Sequence, residues 1–208
     1  GNAVLNAKKV EAVAYHEDED ELTFIAGDAN FYAGQKVHML DRTSGMVELG
    51  PVTCGGKDKA KELMSALEAQ GFACENGTAI NTANISKIST NVVDGTPQTV
   101  VSLSKLDLSC NHLTASEQSK LSEKCANAVN MIKHGTESIA ADMVQNLWLS
   151  KDGQKTLMVL NGRSFEMPAI SMSTFNEFLE ANDALIPTGY EVIDPDAMTH
   201  AQPLDDNT

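Results

Sequence analysis

The chain has 208 residues, 42% of them hydrophobic and 21% charged, with 29 Asp and Glu against 15 Lys and Arg, a formal net charge of −14. That is the composition of a globular chain long enough to bury a core without disulfides or metal, which excludes a disordered or fibrous chain. The excess of carboxylates also disfavours nucleic acid and anionic membranes as general partners, because both are bound through clustered cations.

In chain order, residues 10–15 and 22–26 read as strands flanking the acidic stretch His16–Glu21. That stretch lacks the glycine turn and spaced ligands of a calcium loop, so no metal is expected there. Val37–Leu40 and Met46–Leu49 form a second hairpin. A helix follows over Asp58–Gln70, with Ala60, Leu63, Met64 and Leu67 on one face and Gly71 as its left-handed stop. Residues 78–93 and 98–103 are extended around the turn Asp94-Gly95-Thr96-Pro97.

Thr114 and Glu117 make a capping box for a helix over 115–134, with Leu121, Cys125, Val129 and Ile132 inward and Gly135 as its stop. A shorter helix is expected at 137–145. Strands at 147–149, 156–160 and 163–167 then form a meander through Asp152-Gly153 and Asn161-Gly162, dipeptides that supply the positive φ of tight hairpins. A second capping box, Thr174 with Glu177, opens a last helix over 174–181 with Phe175, Phe178 and Leu179 inward.

The expected fold class is therefore α+β, antiparallel hairpins and meanders packed with three to four helices. The order of elements divides it into an N-terminal half, 1–110, and a C-terminal half, 111–208, within one or two domains. Residues 37–93 and 156–198 run through the same order, which suggests two similar ββαβ halves. In that order the halves resemble the LytTR-type DNA-binding domain of response regulators, where a hairpin and helix precede an extended segment. The resemblance implies DNA contacts from basic positions that here read Cys74-Glu75-Asn76-Gly77, and the second half supplies none, so DNA binding is not expected by that route.

Leu103, Leu106, Leu108, Asn111 and Leu113 fit a leucine-rich repeat template, yet no neighbouring copy exists to share its core, so the string reads as a strand and turn. The best local case for chemistry is Cys54-Gly55-Gly56-Lys57 ahead of a helix, where free amides stabilise a thiolate. Cys54 would be the nucleophile, Lys57 a nearby cation and His38 a base reaching across the hairpin. The simpler reading is a packed cysteine before a glycine turn. Cys54, Cys74, Cys110 and Cys125 lack Cys-x-x-Cys spacing and read as free thiols. Pairing of Cys54 with Cys74, or Cys110 with Cys125, belongs to the alternative of an exported domain whose leader has been removed. Otherwise a cytoplasmic location is slightly favoured. No cofactor is implied, and no apolar run approaches a membrane span.

Mapping the charge by position is more informative than its total. Ser164–Thr208 carries nine acidic residues and no Lys or Arg, leaving a net charge of −5 on residues 1–163. Glu177, Glu180, Asp183, Asp194 and Asp196 are the candidate acidic face, and the expected function is a soluble accessory or regulatory binding module docking on a basic partner. A small enzyme or redox protein built on Cys54 is the alternative.

Overall fold

The computed structural model describes residues 7–26, 37–41, 46–93, 95–150, 154–187 and 191–193. The chain forms two compact units, residues 1–140 and 141–208. The position 110/111, which divides the halves read from the sequence, lies between a strand (Asp107–Ser109) and a helix (Ala115–Ala128).

The first unit holds two sheets. One is built from β1 (Val10–His16), β2 (Glu21–Ala26), β3 (Val37–Asp41), β4 (Met46–Thr53), α1 (Lys57–Glu68), β5 (Phe72–Glu75) and β6 (Thr78–Asn81), with strand order β3-β4-β2-β1-β6-β5. The other comprises β7 (Lys87–Val93), β8 (Thr96–Ser102), β9 (Asp107–Ser109), α2 (Ala115–Ala128), β10 (Met131–His134) and β11 (Glu137–Ala140), ordered β10-β11-β7-β8-β9. The second unit has β12 (Val144–Leu149), β13 (Lys155–Leu160), β14 (Arg163–Pro168), α3 (Met172–Ala181), β15 (Ile186–Pro187) and β16 (Glu191–Ile193), ordered β14-β13-β12-β16-β15. All these pairings are antiparallel. The α+β class is as the sequence indicates.

The recurrence expected between 37–93 and 156–198, which equates β3 with β13, gives way to a different one. Setting aside β3, which adds an edge to the first sheet, the chain contains three βββαββ repeats rather than two ββαβ halves. In each, the first strand is central and the last strand returns to pair with it: β1 with β6, β7 with β11, β12 with β16. A 3-10 turn leads into each repeat, at Ala7–Lys9, Thr82–Asn84 and Ala141–Met143. The residue after each turn, Val10, Ile85 or Val144, is buried, as are Val13, Ile88 and Leu147 three positions on. Burying an aliphatic side chain is worth about 1.5–3 kcal/mol, so these paired positions anchor the centre of each sheet.

Three helix expectations are corrected. α2 ends at Ala128, where Val129 leaves helical geometry at φ −130°. Residues 131–134 are instead β10, paired to β11 with Ile132 opposite Ile139, and Gly135 at φ +61° turns the hairpin. The helix expected at 137–145 is β11 followed by the 3-10 turn and the start of β12. β-branched and Met side chains at 129–132 fit both periods, and strand pairing decides between them. α3 starts two residues early as well. Its cap is Ser171, whose hydroxyl accepts from the Thr174 amide at 3.1 Å, so Thr174 and Glu177 lie inside the helix. Phe175 and Phe178 are buried as expected. The capping box of Thr114 and Glu117 forms in full, with the Thr114 amide donating to Glu117 Oε2 at 2.8 Å. Asn161 and Gly162 both take positive φ in the β13–β14 turn, whereas Asp152 and Gly153 lie outside the described residues. The leucine string forms β9 and a turn, with Leu103, Cys110 and Leu113 buried.

Candidate functional site

The glycines before α1 do form an anion-binding nest, but the chain supplies its own anion. The turn of the β1–β2 hairpin places Asp20 at φ +52°, a conformation Asp and Asn tolerate better than most residues. Its Oδ1 accepts from the Gly56 amide at 2.8 Å and from the Tyr15 hydroxyl at 3.2 Å, and Oδ2 accepts from the Gly55 amide at 3.1 Å. The Asp20 carbonyl accepts from the Cys54 amide at 2.9 Å. α1 has no side-chain cap of its own, so a carboxylate from 36 residues upstream neutralises its positive end.

This geometry works against a reactive Cys54. Its thiol is pushed up by burial and then by the Asp20 charge, with Lys59 opposing. Lys57 Nζ is engaged by Glu17 at 2.6 and 2.9 Å. His38 lies in β3, opposite Glu48 of β4. Six residue steps of extended chain from Glu48 to Cys54 correspond to about 20 Å, so the backbone does not bring His38 to the thiol. The other thiols are buried and pushed higher, Cys74 to about 12, Cys110 to about 11 and Cys125 to about 12, each chiefly by burial. All four are unpaired.

Asp20 is the residue that sequence reasoning missed. Its acidic stretch was visible, but nothing in the local sequence selects one carboxylate out of five or points it at glycines beyond β4.

Next to this nest lies a cleft of about 650 Å³, bounded by the end of β1, α1, the β5–β6 turn and the loop before α2. His16 and His112 both reach it, and His112 Nε2 sits 2.7 Å from Thr78 Oγ1. Burial holds His112 below the usual imidazole range; the neighbouring His16 adds to this and Glu117 opposes it. Its lysines are largely matched by acids. Lys124 donates to the Cys74 carbonyl and to Glu75 at 2.9 Å, and lies 3.9 Å from Glu68. Among the described residues no group of three or more His, Cys, Asp or Glu is placed to hold a metal. No helix there is long and apolar enough to cross a membrane.

In the second unit Glu177 and Glu180 lie one turn apart on the exposed side of α3, and Asp183 follows it, also exposed. Asp194 and Asp196 fall outside the described residues. Glu166 is engaged by Lys155 of the neighbouring strand β13 at 2.5 Å. No family model matches this sequence, and no curated protein and no solved structure matches it either.

Proposed function

We propose that the protein is a non-enzymatic accessory or regulatory module that docks through an acidic C-terminal surface on a basic partner. The observation that carries this reading is the exposed row of Glu177, Glu180 and Asp183 within a 45-residue segment that contains no Lys or Arg. No ion pair among the described residues engages these three carboxylates. Exposed like charges repel one another weakly in water and contribute little to stability, whereas they steer and align a partner of opposite sign. The raised thiol of Cys54 supports the same reading by weakening the enzymatic alternative.

The test is affinity capture from the source extract at about 50 mM and about 300 mM salt, since screening weakens docking between exposed charges. The wild-type chain should recover a basic protein at low salt and lose it at high salt. A Glu177→Lys, Glu180→Lys, Asp183→Lys variant should recover it at neither. Recovery that ignores both salt and charge reversal overturns the reading.

A further inference from the structure

The three repeats end in equivalent hairpins. Ala73 pairs with Ile80, Ile132 with Ile139 and Ile186 with Ile193. Ile80, Ile139 and Ile193 in turn pair with Ala12, Lys87 and Asn146, each one position before the buried anchor Val13, Ile88 or Leu147 of its central strand. Ala73, Ile132 and Ile186 therefore occupy the same position of the same edge strand.

In the first repeat this position belongs to a helix seat. α2 packs against β5, and its Leu121 and Cys125 share one core with Ala73 and Ile80 on one side and with Ile88 and Val101 of its own sheet on the other. Lysines border the contact: Lys124 lies 2.9 Å and Lys120 3.9 Å from Glu75 at the end of β5. An apolar stripe flanked by lysines thus fills the outward face of a hairpin edged with a carboxylate.

At the third hairpin no helix among the described residues packs in the way α2 packs on β5. Ala73 and Ile132 are 5% and 7% exposed, whereas Ile186 is 50% exposed. An isoleucine is left half in water at a position where both counterparts are buried, in a segment whose charged side chains are all acidic. We propose that the outward face of the β15–β16 hairpin, centred on Ile186, seats an amphipathic helix of the basic partner, its apolar stripe on Ile186 and its lysines toward the carboxylates of this acidic segment. This deepens the acidic-surface reading and rests on it. It adds a secondary structure and an apolar contact to a partner otherwise defined by charge alone.

The probe is a labelled synthetic peptide reproducing Thr114–Asn130, the α2 segment that fills the first seat, titrated by fluorescence anisotropy against the full chain under reducing conditions. Saturable binding is expected. Ile186→Asn should weaken it at least about tenfold, the loss that corresponds to one buried aliphatic contact. Because residue 186 is exposed, this variant should keep the wild-type thermal unfolding curve. Binding that resists Ile186→Asn but falls with Glu177→Lys and Glu180→Lys overturns the seat and leaves charge docking standing. Absence of binding up to about 1 mM peptide overturns the seat, while the capture experiment above judges the acidic surface separately. Sedimentation of the chain without peptide provides the remaining outcome: self-association abolished by Ile186→Asn would assign the face to a second copy and overturn a partner helix.

Discussion

Asp20 shows how much one side chain can settle. By accepting from Gly55, Gly56 and Tyr15 it caps α1 from another hairpin and occupies the amide nest ahead of that helix. Asp20→Asn keeps a residue that tolerates positive φ and removes the charge. It should cost about 1–2 kcal/mol in urea unfolding, as the loss of a charged cap does. The same change should move the pH midpoint of Cys54 alkylation downward, read by mass spectrometry, because Asp20 is the second cause of its raised pKa after burial. An unmoved midpoint would show that the carboxylate charge does not reach the sulfur. His112 provides a pH test of opposite origin. Its folded pKa is lowered from 6.5, so the unfolded chain takes up the proton first. Stability linked to it is full above about pH 6.5 and is lost as pH falls through the lowered folded value. His112→Gln should flatten this decline between about pH 7.5 and pH 5.5 in parallel urea titrations.

Among the elements, α2 carries the most. It is held by Leu121 and Cys125, both fully buried, between the β5–β6 hairpin and its own sheet. Leu121→Ala should therefore cost about 2–5 kcal/mol, the range for a leucine truncated where both walls are rigid. A loss below 1 kcal/mol in equilibrium unfolding would mean that the two walls close over the gap. The helices were largely legible in the sequence because capping and 3.6-residue periodicity act over one or two turns: Thr114 and Glu117 announced α2, and Leu63, Met64 and Leu67 announced α1. The β10–β11 hairpin was not, because Val129, Met131 and Ile132 continue an apolar helical face as readily as they alternate. What separates the two states is the pairing of Met131–His134 with Glu137–Ala140 and of β11 with β7, a contact made over some 50 residues. Misreading that hairpin as helix hid the middle repeat. The candidate acidic face was legible as composition, whereas Ile186 gained meaning only once Ala73 and Ile132 could be placed beside it.

At the scale of the molecule, the repeats make a prediction that no single element makes. Each sheet is built outward from its first strand, so β1, β7 and β12 have hydrogen-bonding partners on both sides, while β5, β10 and β15 are edges with a partner on one side. The buried anchors Val13, Ile88 and Leu147 sit in those central strands. Amides open to exchange through local unfolding most easily where backbone bonds face water and apolar contacts are few, and least easily where a strand is paired twice over a packed core. Hydrogen exchange along the chain should therefore show three maxima of protection, around Ala12–Ala14, Ile88–Ser89 and Leu147–Trp148. The neighbouring edge strands should exchange at least about tenfold faster within each unit. The middle maximum is the decisive one, since a chain of two similar halves places no central strand at 87–93. Two maxima, or edge amides as slow as those of β7, would contradict the threefold architecture and with it the equivalence of Ala73, Ile132 and Ile186.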